Sequence, residues 1–243
     1  MKRILILAIY TCLVYAASAQ TIFLNTVKIE FEKTVYMRQL YKEIYPSQTF
    51  DIIKNQLPEA SLSYFDFIGD TTKSVFKPGR ETTSDPRWRP LANENVVYTD
   101  YQAGKMIAQK PVYDETFLIV DSLVNIKWKL TGDTRMIAGF ECKKAVGTIH
   151  DSITLFAFYS EELLIKGGPE SIQGLPGMIL GLGAPRLHVT WFATKVEVNG
   201  VNINAVKPAT KGKKVSNKEM IKAVDDSFKQ RGSYSSLGLA FMI

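Results

Sequence analysis

The chain has 243 residues, 46% hydrophobic and 22% charged, with 30 lysines and arginines against 24 acidic residues and a net charge of +6. That apolar share excludes a disordered chain, and the length suits one large β domain or two small ones with a real core. The basic excess is mild and scattered, so it reads as a solvated face, and no nucleic-acid partner is expected.

Residues 1–19 read as an export leader. Lys2 and Arg3 give a positive start, Ile4 to Val14 is an apolar run, and Ala17-Ser18-Ala19 is an A-x-A cleavage site. The run is shorter than the roughly 20 residues a spanning helix needs, so no transmembrane anchor is expected. Cleavage would take 19 of 243 residues, leaving a single domain over 20–243, and losing Lys2 and Arg3 would take +6 to +4. The product would be periplasmic, outer-membrane-associated or secreted. Of the two cysteines, Cys12 belongs to the leader and Cys142 remains, so packing rather than a disulfide must hold the fold.

Strand signals then dominate. Val27, Ile29 and Phe31 alternate with Lys28, Glu30 and Glu32, the period of a half-buried strand. Pro46 to Leu57 holds a short helix through Phe50, Ile53 and Leu57. Ser61–Phe67 and Lys73–Phe76 make a hairpin about Gly69-Asp70. Residues 78–95, with three prolines and three arginines, form a long surface loop. Val96–Tyr101 and Lys105–Gln109 make a second hairpin, and residues 116–120 a short strand. Ile126, Trp128 and Leu130 alternate with lysines before a turn at Gly132-Asp133. Met136, Ala138, Phe140 and Cys142 share one parity. Phe140 and Cys142 should be buried on a strand pairing with Ile153–Tyr159, connected through Gly147 to Asp151.

Further on, Trp191 shares parity with Leu187 and Val189, whereas Val196 and Val198 have the other. A straight strand cannot bury both sets, so a bulge or bend is expected between Phe192 and Lys195. Asn199-Gly200 reads as a two-residue type I′ turn closing a hairpin from Val196 to Ile203. Ser216 with Glu219 is a capping box, and Met220, Ile221, Val224 and Phe228 follow at helical spacing, predicting a helix near 217–230. The apolar tail from Leu237 to Ile243 reads as an edge strand or loose end, with docking on a partner as the functional alternative.

Catalytic constellations are scarce. His150 and His188 have no ligand spacing around them, so no metal and no cofactor are expected. A G-x-S-x-G elbow is missing. Cys142 has apolar strand neighbours, which make a thiol inert, and a buried small hydrophobe is the plainer reading. Glu161-Glu162 and Asp225-Asp226 read as solvated pairs. Phe156, Phe158 and Trp191 crowd neighbouring strands. Most such residues are core, but on a concave face they could stack a sugar or hold an apolar group, and they are the candidate binding face.

Residues 167–183 are dense in glycine, yet no Lys or hydroxyl residue follows Gly177 to complete a phosphate loop. Leu175-Pro176-Gly177-Met178 fits a type II turn instead, with positive φ at Gly177 and with Leu175 and Ile179 buried. The hexapeptide Gly174-Leu175-Pro176-Gly177-Met178-Ile179 resembles the signature of the GLPGLI family of exported bacterial proteins, with Met for Leu at one position. The resemblance extends through Asn95-Val96-Val97-Tyr98, Lys127-Trp128-Lys129-Leu130, the stretch Ile137 to Ala145, Phe158-Tyr159 and Gly168-Pro169. Phe158 stands where that family commonly has Trp, and Gly181-Leu182-Gly183 where it has polar and acidic residues. The family is similar to the bowl-shaped β domain at the N-terminus of a bacterial peptide-N-glycosidase, a domain separate from the catalytic one. The resemblance implies a mainly β fold, a curved antiparallel sheet (open bowl or half-barrel) with one or two short helices including a C-terminal one, and a non-catalytic role.

Three functions follow from this reading. The first is an exported, non-catalytic envelope protein binding an envelope protein or a small apolar or glycan ligand on its curved sheet. The second is a hydrolase using Cys142 or a histidine–carboxylate pair. The third is a structural or assembly factor of the cell envelope.

Overall fold

A computed structural model describes residues 24–243 apart from 83, 151, 231–237, 239 and 242, and apart from the side chains of 228–230. The expected leader lies outside these residues. In chain order the elements are β1 (Thr26–Val35), α1 (Met37–Ile44), α2 (Ser47–Ile53), β2 (Ser61–Asp70), β3 (Lys73–Pro78), β4 (Val96–Asp100), β5 (Lys105–Val112) and β6 (Glu115–Ser122). They continue with β7 (Lys129–Ile137), β8 (Phe140–Ile149), β9 (Ile153–Ser160), β10 (Met178–Ala184), β11 (Val189–Glu197), β12 (Lys213–Val215) and α3 (Asn217–Gln230).

The strands form one open, mainly antiparallel sheet in the order β12-β6-β5-β4-β3-β2-β1-β11-β10-β9-β8-β7. Only the β12–β6 pair is parallel. That order dictates curvature. β6 ends at Ser122 and β7 begins at Lys129, a link that reaches at most about 25 Å. Flat, the two strands would stand ten spacings apart, about 48 Å. The sheet must therefore wrap until its two ends approach, and the core lies inside the wrap. Every second residue of β1 points inward, as do the alternate residues of β2, β5 and β9.

The segment between β9 and β10 fills the interior. Trp128 Nε1 donates to the Gln173 carbonyl at 3.0 Å, and Gln173 Nε2 donates to the Val124 carbonyl at 2.9 Å. This one segment thus touches the chain leading from β6 into β7.

Several expectations hold. The first two hairpins are present, β8 pairs with β9, and the register of β1 against β11 slips between Glu30 and Phe31, which skips Thr194. That slip is the expected bulge. The capping box forms: Ser216 N donates to Glu219 Oε2 at 2.7 Å, and Glu219 N to Ser216 Oγ at 3.3 Å. Leu175 and Ile179 are buried.

Others need correction. The type I′ turn lies not at Asn199-Gly200 but at Ala138-Gly139, whose φ values are +50° and +88°, between the paired Ile137 and Phe140. Gly200 has positive φ and Asn199 does not, and Ile203–Ala205 is a 3₁₀ turn rather than a return strand. β11 pairs with β1 as far as Glu197 and with β10 only from Val189 to Phe192, and beyond Glu197 the chain enters the 3₁₀ turn instead of pairing back. Gly132-Asp133 sits inside β7 at an irregularity between Leu130 and Thr134, not at a turn.

Gly147 to Ile149 belong to β8 rather than to the connection, Ile149 pairs with Ile153, and residue 151 lies outside the described residues. Phe140 is half-buried and Cys142 fully buried. Met37–Ile44 is a helix that the periodicity did not reveal. Of the apolar tail, residues 237, 239 and 242 lie outside the described residues, while Phe241 and Ile243 are buried in the protein's own core rather than exposed for a partner.

Gly177 is the main correction. It does not have positive φ; Gly174 does, at +100°. A type II turn is therefore excluded. Glycine is required at 177 for a different reason, because an added Cβ would collide with the Ser160 carbonyl oxygen. The signature is a close approach of two backbones at the mouth of the β9–β10 pair.

Candidate ligand cavity at the inner face

Strand parity decides where each aromatic points. Phe158 and Phe192 both pair with Gly181, and Phe156 pairs with Gly183. Residues directly opposite each other share a face, so these three rings lie together on the face away from the core. There the Arg135 guanidinium stands 5.1 Å from the Phe158 ring and 5.0 Å from the Phe192 ring. Trp191 pairs with Leu182, which pairs with Ala157, and all three are buried on the inner face. The expected binding face of Phe156, Phe158 and Trp191 is thus divided between two sides of the sheet. The two phenylalanines do not line the concavity; Trp191 does.

At Trp191 the inner face opens into a cavity of about 260 Å³. Its floor is β1 and β11, through Lys33, Val35, Val189 and Trp191. Its walls are α1, through Met37, Leu40 and Tyr41, and the 78–95 loop, through Arg89, Pro90 and Leu91. That loop is therefore more than surface: it packs Ala92 and Asn95 into the interior.

The floor holds two polar groups, the Lys33 ammonium and the Trp191 indole N–H. Lys33 pairs across the sheet with Ser63 on β2 and with Trp191 on β11. Lys33 is 3% exposed; its Nζ donates to the Ala92 carbonyl at 2.7 Å and more weakly to that of Leu91 at 3.5 Å, and lies 5.5 Å from the Trp191 ring. Among the described residues no carboxylate reaches ion-pair distance of it. Burial pulls its pKa down to about 8, with Glu170 opposing the shift and Lys110 adding to it. Trp191 Nε1 is buried without a hydrogen-bond partner among the described residues, and so are Ser63 Oγ and, two positions along β2, Ser61 Oγ, which line a neighbouring pocket instead.

Two more charges are buried nearby. Lys110 donates to the main-chain oxygens of Phe241 at 2.9 Å and Ile243 at 2.5 Å. Burial lowers its pKa, against Glu170. Glu170, at φ +55°, accepts from Asn95 Nδ2 at 3.1 Å, and burial raises its pKa although both lysines and Asn95 pull it down.

The residue-level reading missed Lys33, Lys110 and Glu170. For the lysines a signal existed. Lys33 continues the inward parity of Val27, Ile29 and Phe31, and Lys110 that of Met106 and Ala108. A lysine in phase with a strand's apolar face is the mark of a buried ammonium. Glu170 lies in an irregular segment that has no parity to break.

The other candidates fare as follows. The Cys142 thiol is pushed up to about 12 by burial and donates only to the Phe140 carbonyl, at 3.6 Å. His188 Nε2 stands 3.0 Å from Glu43 Oε2, without the alignment of a hydrogen bond. Among the described residues no cluster could hold a metal, and no helix is long and apolar enough to cross a membrane.

The molecule is an open β-sheet wrapped about its own loops, with a ligand-sized cavity on the inner face. Residues 93–229 match the family described as N-glycanase peptide, N-terminal domain, which is more than half of the chain, and the protein belongs to that family. Structures of PNGF-II in the P21 and C2 space groups share the fold at TM-scores of 0.50 and 0.51, with 18% and 16% identity. Each likeness covers 79% of this chain but 32% and 31% of the other, so the chain spans about a third of the PNGF-II length. An uncharacterized conserved protein from Thermus thermophilus matches over 79% of this chain and 90% of its own, at a TM-score of 0.38 and 5% identity. No curated protein matches.

Proposed function

We propose that this is an exported, non-catalytic binding protein of the cell envelope that takes a small apolar ligand into the cavity on the inner face of its sheet. Within its family the hexapeptide Gly174 to Ile179 aligns it with the GLPGLI proteins. The observation that carries the reading is the cavity: an apolar concavity with a buried indole at its floor and an amphipathic helix at its wall. Such a lining with a few convergent polar groups is the usual form of a small-molecule site. Trp191 keeps its place in the binding face expected from the sequence, and Phe156 and Phe158 pass to the opposite surface.

A neutral solvatochromic dye, Nile red, tests this. The folded protein should enhance its fluorescence saturably. Leu40→Asp, at a half-exposed helix position on the cavity wall, should abolish the enhancement while leaving the melting temperature near that of the parent. A parent protein that gives no saturable enhancement would sink the reading.

A further inference from the structure

We infer that the ligand of this cavity is an amphiphile with a monoanionic head, a carboxylate on an apolar chain, whose head is received by Lys33 and Trp191. The inference rests on the cavity being a ligand site and adds the chemical class of what it holds. Two donors from adjacent strands line it: the Lys33 ammonium and the Trp191 indole N–H. Trp191 Nε1 is buried and unpartnered among the described residues. Lys33 spends its bonds on two carbonyl dipoles and has no counter-ion at contact distance among the described residues. A buried donor left unpaired costs free energy, and a buried ammonium without an anion costs more. A bound carboxylate offers an acceptor to each donor and a single negative charge to the Lys33 ammonium. A dianion would exceed that charge, and a cation would meet the ammonium unscreened.

The apolar remainder of the ligand follows from the walls. Val35, Met37, Leu40, Leu91 and Val189 face the cavity, and about 260 Å³ admits a short chain rather than a long acyl tail. The other charged and titratable groups facing Lys33 are Glu170 and Lys110 from within, and Arg89, Tyr41, Tyr45 and Tyr113 at the cavity wall. Lys33 loses its proton above about pH 8 in the ligand-free protein, so the preference for an anion should fade as pH rises past that point. A bound anion pulls the proton back and moves the midpoint upward.

The test is competition against Nile red by octanoate, octanol and octylamine at pH 7. Octanoate should displace the dye at a concentration at least tenfold lower than octanol, and octylamine should be weakest. Lys33→Met should bring octanoate down to the level of octanol while octanol itself still competes. Trp191→Phe, which keeps a ring and removes the N–H, should narrow the gap part-way and serves if the Lys33 variant does not fold. Octanoate and octanol competing equally in the parent would overturn the inference while leaving the apolar site standing. An octanoate preference that survives in Lys33→Met, or that is undiminished in Trp191→Phe when that variant is the one that folds, would overturn the assigned head site. Absence of dye binding would overturn both.

Discussion

Lys33 is held inside by its strand, not by its own chemistry. β1 is fixed between β2 and β11 by two antiparallel ladders, and its parity puts position 33 on the inner face whatever occupies it. The folded pKa of about 8 lies below the ordinary 10.5 because burial disfavours the ammonium. Between these values the unfolded chain holds a proton that the folded one has lost, so stability rises with pH across that window. Below about pH 8 the burial penalty is felt in full. A depression of this size corresponds to roughly 3 kcal/mol, partly offset in a variant by the ~1–3 kcal/mol cost of leaving the Ala92 carbonyl unpaired. Lys33→Met should therefore be at least as stable as the parent at pH 7, with its advantage shrinking as pH approaches 10.5. Chemical denaturation at several pH values measures this. A variant several kcal/mol less stable at pH 7 would mean that the ammonium is a net structural asset.

The scale of elements shows what local pattern can and cannot decide. The capping box at Ser216 and the bulge at Thr194 were legible because each is a local conflict with a local solution: orphan amides in one case, two parities on one strand in the other. The Asn199-Gly200 hairpin was not, because its turn chemistry is sound and only the 3₁₀ turn at Ile203–Ala205, in place of a return strand, shows that the chain does not pair back. Ala138-Gly139 shows the reverse: an alanine accepts positive φ because Ile137 and Phe140 are paired around it. The Pro176-Gly177 stretch teaches the same lesson. The need for glycine was readable; its cause was not, since a close approach to β9 leaves no mark in a single stretch. Gly177→Ala should cost about 1–3 kcal/mol through displaced backbone, and the loss should appear as faster hydrogen exchange at the Met178–Ser160 end of the β9–β10 pair. A Gly177→Ala protein as stable as the parent would show that Ser160 can move aside.

For the whole molecule, curvature is the property from which the site follows. Alternating strands and few helices made the mainly β class readable in the sequence. The wrap was implied there only by resemblance. In the structure it follows from a short link joining strands ten places apart. Wrapping divides the aromatics between an inner and an outer surface, a division that depends on register across β9, β10 and β11 and so lies beyond any one strand's pattern. It also brings α1 and the 78–95 loop over Lys33 and Trp191. The central claim is that this inner cavity, and no other surface, takes the ligand. Three tryptophans, Trp88, Trp128 and Trp191, let indole N–H resonances report on it directly. Trp128 already donates to Gln173 and serves as the internal control, whereas Trp191 has no partner among the described residues. In a titration with octanoate, with the Trp191 signal assigned by its loss in Trp191→Phe, that resonance should move downfield and saturate while the Trp128 resonance stays still. A Trp191 signal that does not move, or moves no more than that of Trp128, would contradict the account.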